Sequence, residues 1–247
     1  MSKADDYRKV LRGLADWDTY LRAESNLPGP RGNLELAHVA ADLADRNQVE
    51  HFLSFAPQIA PVNTPDEFLA FCGVEGLGRL IAEGQTDLWP TLRVYASDPR
   101  WRIREGVAMA LQRIGLVNMK TLLDNIESWS NGTWLEMRAA AAGLAEPALL
   151  QDEKHIRRAL AILDHITVKV EASQEHGEDF KTLRKGLGYC WSVVIVALPD
   201  QGKKYIERWL TSPDKDVRWI MKENLKKNRL IKMDADWVKA CLAQMNS

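Results

Sequence analysis

Cysteine is scarce in this sequence, and the three cysteines it contains lie far apart. Cys72, Cys190 and Cys241 form no CxxC pair, and an odd number cannot all be joined in disulfide bonds within one chain. This distribution excludes a small disulfide scaffold and a CxxC zinc or redox motif, and it is typical of a reducing compartment. We therefore expect a cytoplasmic protein without a disulfide framework.

Long hydrophobic runs are missing as well. The longest mainly apolar stretch, Trp191–Leu198, is far shorter than the about 20 residues that a membrane-spanning helix needs. The first ten residues, MSKADDYRKV, contain no apolar signal core. We expect neither secretion nor a membrane partner.

The motifs of common enzyme classes are absent too. No GxSxG, Walker loop or GxGxxG occurs, and none of the five histidines has a second histidine three or four positions away. A zinc pair on a helix is therefore not predicted. The glycine-rich stretch Gly73–Gly78 falls inside a predicted helix, where small residues allow close packing. The sequence thus favours a non-catalytic protein with no metal and no cofactor.

One helical pattern, in contrast, occurs six times. The first position of each copy, here called the anchor position, is apolar, and apolar or small residues follow at +4 and +8 on the same helical face. Steps of 33 to 46 residues between copies are typical of an α-solenoid, in which each helical pair packs on its neighbours. The anchor residues are Leu36, Leu69, Ile103, Met137, Leu183 and Val217.

The pattern predicts an all-α fold: an α-solenoid, or α-α superhelix, of about six helical pairs in a single domain over residues 1–247. The first helix is predicted over Asp6–Glu24, the last anchor helix over Asp214–Asn228, and a closing helix over Asp236–Met245. Between the first two helices lies the Pro/Gly connector Leu27–Asn33, whose last residue can cap the helix that follows.

Two segments depart from the regular pattern. One step is 46 residues instead of 33 or 34, and the excess coincides with the polar segment Thr167–Glu178, for which we predict a surface loop. The β-branched run Val193–Val196 favours a strand locally. The phase of the repeat favours a buried helix there, because a lone strand would have no partner.

Arginine follows the anchor residue directly in four copies, as Arg104, Arg138, Arg184 and Arg218. With the preceding Asp and Pro residues, as in Ser97-Asp98-Pro99, this pattern resembles HEAT repeats over most of the chain. The resemblance implies an armadillo-like solenoid and a scaffold function rather than an activity. It also implies that these arginines bond to acidic or carbonyl groups in the turns of neighbouring repeats, with anion binding as the alternative.

Two of the nine tryptophans are distinguished by their phase in the repeat. Trp101 and Trp219 lie about 200° from the anchor face at 100° per residue, which makes them candidate contact residues. Trp101 stands in the run Arg100–Arg104, where basic residues alternate with apolar ones, a mixture that suits phosphate contact and base stacking. The alternative for Trp219 is packing against the closing helix near Trp237.

A second, shorter resemblance is to the DNA alkylation-repair glycosylases with HEAT-like folds. The segment Val217–Val238 is similar to the C-terminal pattern of that family, an Arg-containing amphipathic helix followed by a turn and Trp-Val. The catalytic Trp-x-x-x-Asp of the family corresponds here to Trp101 through Glu105, with glutamate in place of aspartate. The resemblance implies nucleic-acid binding and base excision, with Trp101, Arg102, Glu105 and Trp219 as the site.

Charge is distributed unevenly along the chain. Residues 1–83 carry 8 Lys/Arg against 13 Asp/Glu, residues 84–199 carry 14 against 14, and residues 200–247 carry 11 against 7. If the anchor helices line an inner surface, positions +2, +5, +6 and +9 face it. The predicted lining is acidic at its N-terminal end (Asp42, Asp45, Glu75, Glu105) and basic with aromatics at its C-terminal end (Lys185, Tyr189, Trp219, Lys222, Lys226).

A groove of this kind favours a protein or peptide partner with complementary charges over a uniform phosphate backbone. We therefore predict a non-catalytic binding or scaffold protein. The alternative is a nucleic-acid-binding protein or an alkylpurine glycosylase. The predicted binding residues are Trp101, Arg102, Glu105, Lys185, Tyr189, Trp219, Lys222 and Lys226.

Overall fold

The computed structural model describes residues 2–246, with the side chain of Asn246 left out. Over this range the chain is 75% helical, with 15 α-helices and no strand, so the prediction of an all-α fold is confirmed. The chain divides into two compact units, Met1–Val117 and Asn118–Ser247. The solenoid and the single continuous domain stay predictions.

Unit 1 contains seven α-helices within the described residues. Several begin at side-chain caps: Asn33, Asp45 and Thr64 each accept a hydrogen bond from a backbone N–H three residues on, and Pro65 occupies the first turn of the longest helix. The helices are α1 Lys3–Gly13, α2 Asp18–Ala23, α3 Leu34–Leu43, α4 Arg46–Leu53, α5 Pro65–Ala82, α6 Trp89–Tyr95 and α7 Trp101–Val117, with a short 3-10 turn over Thr86–Leu88.

Helix α5 forms the centre of unit 1. It packs against α3, α4 and α7, and fourteen of its residues are buried. Its glycines allow these approaches: a Cβ at Gly76 would lie 2.5 Å from Val49 Cγ2, and one at Gly78 would lie 2.6 Å from Ala110 Cα. The glycine-rich stretch is therefore a packing surface, as predicted from its place inside a helix.

Unit 2 is built around α11, which packs against α9, α10 and α13. Val193–Val196 lies within this helix, so the repeat phase was the correct guide there. The helices are α8 Met119–Trp129, α9 Trp134–Leu144, α10 Glu153–Glu171, α11 Glu178–Ala197, α12 Pro199–Trp209, α13 Lys215–Leu225, α14 Asn228–Met233 and α15 Ala235–Asn246, with a 3-10 turn over Pro147–Leu149.

The repeat pattern identifies the buried helix faces of both units. All six anchor residues are buried, and so are Leu111, Leu187 and Leu225 at the +8 and +4 positions. Ala145, at +8 of the fourth copy, is half-buried because its helix ends at Leu144. Period and phase therefore predict side-chain burial well.

Among the helices of residues 2–246, none has both the length and the apolar character needed to cross a membrane.

The predicted surface loop at 167–178 is shorter than expected. Helix α10 continues to Glu171, and the irregular segment covers only 172–177. Thr167 is buried, where its hydroxyl donates to Leu163 O and accepts from Trp191 Nε1 at 3.1 Å. Val170 is buried as well. These contacts extend the helix through a segment whose polar composition resembles a loop.

Two helix boundaries also differ from prediction. The first helix, predicted over Asp6–Glu24, is broken after Gly13 into α1 and α2, and Asp16 Oδ1 accepts a hydrogen bond of 2.9 Å from Asp18 N at the start of α2. The last anchor helix ends at Leu225, and the separate helix α14 follows it. Neither break falls at a proline, although Gly13 stands at the end of α1.

We expect Gly78→Ala to lower the thermal midpoint of unfolding by about 3–10 °C, since the added methyl overpacks the contact between α5 and α7. Circular dichroism melting measures this. Gly13→Ala is the matched control, because no heavy atom lies within 4 Å of a Cβ at Gly13. A Gly78→Ala protein that melts with the wild type would contradict the close approach of the two helices.

Candidate functional site

The arginines of the run Arg100–Arg104 bond within the protein. Arg100 is buried and forms a two-point pair with Asp98, with nitrogen–oxygen distances of 2.9 and 2.8 Å. It also donates to Phe55 O and Ala60 O. This arginine fixes the loop after α4 against the start of α7, so it is not a surface cation.

Arg102 and Arg104 bond internally too. Arg102 is only 7% exposed; its guanidinium donates to Glu67 Oε2 at 3.2 Å and to the backbone oxygen of Gly29. Arg104 donates to the carbonyl oxygens of Asp98 and Pro99. The arginines of this run suggested phosphate contact, but their side chains hold loops of the protein.

An apolar cavity of about 410 Å³ lies in unit 1, between the connector Leu27–Asn33 and helices α5 and α7. Trp101 forms part of its edge and is 45% exposed, while Arg102 stacks on the Trp101 ring at 4.5 Å. Its lining consists of Leu27, Pro30, Arg31, Gly32, Leu34, Phe68, Phe71, Trp101, Arg102, Glu105 and Met109. Three predicted binding residues, Trp101, Arg102 and Glu105, thus meet at one cavity.

The connector wall of this cavity is held by hydrogen bonds from several elements. Gly29 N donates to Asn63 Oδ1 at 2.9 Å, and Gly29 O accepts from Arg102. At its end, Asn33 donates through Nδ2 to Tyr7 Oη and Glu24 O, both at 2.9 Å, while its Oδ1 caps α3. The wall is therefore fixed in place by both neighbouring helices and loops.

The other five predicted residues lie on, or directly after, two adjacent helices of unit 2. Lys185 and Tyr189 are exposed one turn apart on α11. Lys222 on α13 and Lys226, the residue that follows this helix, are also exposed. Helices α11 and α13 pack side by side. We call the surface formed by the exposed Lys185, Tyr189, Lys222 and Lys226 and the half-buried Lys227 and Arg229 the basic face.

Tyr189 organises two cations that the sequence did not single out. Its ring is 45% exposed, Arg229 stacks on it at 4.6 Å, and Lys227 Nζ lies 5.9 Å from its centre. Arg229 also donates to Tyr189 Oη at 2.6 Å. These residues follow the unexpected break between α13 and α14, which explains why the repeat phase did not find them.

Few carboxylates neutralise the basic face. Lys226 pairs with Glu223 at 2.5 Å, whereas Lys185 and Lys222 have no ion-pair partner among residues 2–246. Arg229 bonds to a phenol rather than to a carboxylate. The face therefore carries a net positive charge.

Trp219 is half-buried and packs on α11. The Arg184 guanidinium lies 3.9 Å from its ring centre, and a Cβ at Gly188 would lie 3.1 Å from its ring. Trp237 instead donates from Nε1 to Glu207 at 2.8 Å and packs by Lys203. Trp219 thus supports the basic face from beneath.

Among the four arginines that directly follow an anchor residue, Arg104, Arg184 and Arg218 bond within the protein. Arg184 Nε lies 2.9 Å from Asp216 Oδ1 on the next anchor helix, and Arg218 donates to Met245 O at 2.6 Å. Arg104 differs from the expectation, because it bonds within the turn before its own helix. These contacts favour the structural interpretation over anion binding.

At the acidic end of the predicted lining, the placement of Glu75 was wrong. Glu75 is 1% exposed, because α5 is covered by other helices on that side as well. Its Oε2 lies 3.1 Å from His38 Nδ1, and its Oε1 has no hydrogen-bond partner within the described residues. Asp42 is exposed but pairs with Arg113 and Arg8, and Asp45 caps α4.

No group of three or more His, Cys, Asp or Glu side chains that could hold a metal ion occurs within residues 2–246. All three cysteines are buried. Burial raises the pKa of the Cys241 thiol to about 11 and that of Cys72 well above its usual value. Neither thiol is therefore activated as a nucleophile.

Comparisons with known proteins give no family for this chain. No protein-family model matches it, and no curated protein matches it significantly. Among solved structures it is similar to the crystal structure of an engineered protein from the Northeast Structural Genomics Consortium, with 17% identity, 98% of each chain covered and a TM-score of 0.36. Similarity at this level assigns neither family nor function.

The hydrogen bond between His38 on α3 and Glu75 on α5 can be tested by titration of His38. The hydrogen bond to Glu75 raises the pKa of His38. Because the folded-state pKa is raised, this stabilisation is complete below the unfolded pKa of about 6.5 and is lost as pH rises through the folded value. We expect Glu75→Gln to lower the pKa of His38 in an NMR titration, and Glu50→Gln on α4 to leave it unchanged. An unaltered His38 titration in Glu75→Gln would show that the pair does not form.

The packing of Trp219 gives a second expectation. Trp219→Ala should cost about 1–3 kcal/mol of unfolding free energy, less than the loss of a fully buried tryptophan. A double-mutant cycle with Arg184→Met should give a coupling of about 0.5–2 kcal/mol. Chemical denaturation of the four proteins measures it, and additive effects would rule out the stacked pair.

Proposed function

We propose that this protein is a non-catalytic, cytoplasmic binding protein of HEAT-like solenoid construction, and that it binds an acidic segment of a protein partner. The observation that carries the proposal is the basic face of unit 2. Lys222 has no carboxylate partner among residues 2–246, Lys185 interacts with Glu178 beyond ion-pair distance, and Tyr189 is exposed among the cations. A surface of one sign around an exposed aromatic suits a partner of opposite charge.

Lysines without an ion-pair partner mainly raise the rate at which an acidic partner associates. Each exposed lysine attracts an acidic segment over about one Debye length, about 8–10 Å at physiological salt. The attraction raises the association rate and selects acidic over basic partners more than it adds final affinity. Lys185 on α11 and Lys222 on α13 are positioned for this role on neighbouring helices.

Tyr189 and Arg229 supply contact energy that lysines do not. An exposed tyrosine offers apolar area with few rotatable bonds, and Tyr and Arg are the residue types that dominate binding energy at interfaces. Stacking and the hydrogen bond to Tyr189 Oη already orient the Arg229 guanidinium. An oriented guanidinium loses less entropy when it pairs with a carboxylate of the partner.

The alternative function is nucleic-acid binding or alkyl-base excision. It would also use the cations of the basic face, but the arginines predicted to contact phosphate support it less than expected. Arg100, Arg102 and Arg104 bond to carboxylate and carbonyl oxygens of their own chain. Glu105 is exposed at the edge of the unit 1 cavity, beside Trp101. The protein-partner proposal is favoured because it requires only the basic face.

The experiment compares two triple variants of equal charge. Lys185→Gln/Lys222→Gln/Lys226→Gln alters the basic face, and Lys154→Gln/Lys204→Gln/Lys239→Gln alters exposed lysines on α10, α12 and α15. The probe is a short labelled peptide of alternating glutamate and leucine, followed by fluorescence anisotropy. We expect the first variant to bind about tenfold or more weakly and the control within about twofold of the wild type.

Other ligands in the same assay separate the alternatives. A matching lysine–leucine peptide should not bind. Plain and alkylated DNA duplexes are titrated at several salt concentrations, because phosphate contacts weaken binding steeply with salt. Tighter binding of duplex than of the acidic peptide, or release of an alkylated base, would overturn the proposal. Equal weakening by both triple variants would show that total charge, not the basic face, is responsible.

A further inference from the structure

The cavity of unit 1 is not used by the proposed partner surface. Its volume of about 410 Å³ falls in the range of small-molecule sites, and its walls are mainly apolar. Three aromatic side chains, Phe68, Phe71 and Trp101, contribute to the lining, with Phe68 and Phe71 stacked at 6.5 Å. The shape and chemistry suit an apolar, preferably planar, group.

The cavity is held open by polar contacts on its outer side. Arg102 bonds to Glu67 on α5, to the connector at Gly29 O and to Asn63 Oδ1, and it stacks on Trp101. A wall fixed by several hydrogen bonds cannot simply close over the apolar lining, and a preformed site costs a ligand less ordering entropy.

Charge at the cavity indicates what the ligand carries besides its apolar part. Arg102 is already paired with Glu67 at 3.2 Å, and Glu105 has a partner within the protein. Arg31 is exposed on the connector and has no ion-pair partner among residues 2–246. Of the charged side chains that line the cavity, two are arginines and one is a carboxylate, so the lining carries one net positive charge.

From these observations we infer that the cavity of unit 1 binds a small apolar carboxylate, with the apolar group among Phe68, Phe71 and Trp101 and the carboxylate at Arg31. This site shares no residue with the basic face, and its test is independent of the proposed protein partner.

The test uses three naphthalene probes of one shape and different charge: naphthoate, naphthylmethanol and naphthylmethylamine. Calorimetric titration of the full chain should show naphthoate binding most tightly. Arg31→Gln should weaken naphthoate about three- to tenfold and change naphthylmethanol less than about twofold. Arg12→Gln, which removes an exposed arginine of α1 from the same unit, should leave all three affinities unchanged.

Cavity-filling variants test the location. Gly32→Leu and Met109→Trp place larger side chains in the lining and should each weaken naphthoate about tenfold or more, while circular dichroism confirms that the proteins fold. The Lys185/Lys222/Lys226 variant should bind naphthoate like the wild type. Equal affinity for the acid and the alcohol, no loss on filling the cavity, or no binding of naphthoate at its solubility limit would each overturn the inference.

Discussion

The buried pair of Arg102 and Glu67 is the interaction on which the architecture of the unit 1 site depends. It joins α7 to α5, and through Gly29 O and Asn63 Oδ1 the same guanidinium holds the connector. Breaking a buried pair by removing one partner typically costs about 3–5 kcal/mol, because the other charge is left uncompensated. Without this interaction the connector would lose its main tie to α7, and the cavity between them would lose its wall.

The same use of arginine recurs through the chain. Arg79 donates to the carbonyl oxygens of Ala41 and Ala44 at the end of α3, Arg100 to those of Phe55 and Ala60, and Arg218 to that of Met245. Carbonyl groups at helix ends and in turns lack partners within their own helix. Arginine satisfies several of them at once, which explains how short helices joined by irregular loops stay packed.

Much of the helical framework could be predicted from the sequence. Apolar residues at 0, +4 and +8, exemplified by Ile103, Val107 and Leu111, identified buried faces because a helix has one period and one core-facing side. Helix breaks were harder. The restart at Asp18 and the end of α13 depend on local caps and contacts that no periodic pattern encodes, and Thr167 is helical because Trp191 of another helix bonds to it.

The candidate sites, like the helices, could be predicted from the sequence only in part. By itself the sequence determined which residues are apolar, where charge accumulates and which aromatic residues lie off the packing face, so Trp101 and Tyr189 were selected correctly as exposed. Only the tertiary structure decided that Arg102 and Glu75 are buried, and that Arg229 and Lys227 gather around Tyr189. The physical reason is that exposure and ion pairing are set by neighbours distant in sequence, whereas periodicity describes one helix at a time.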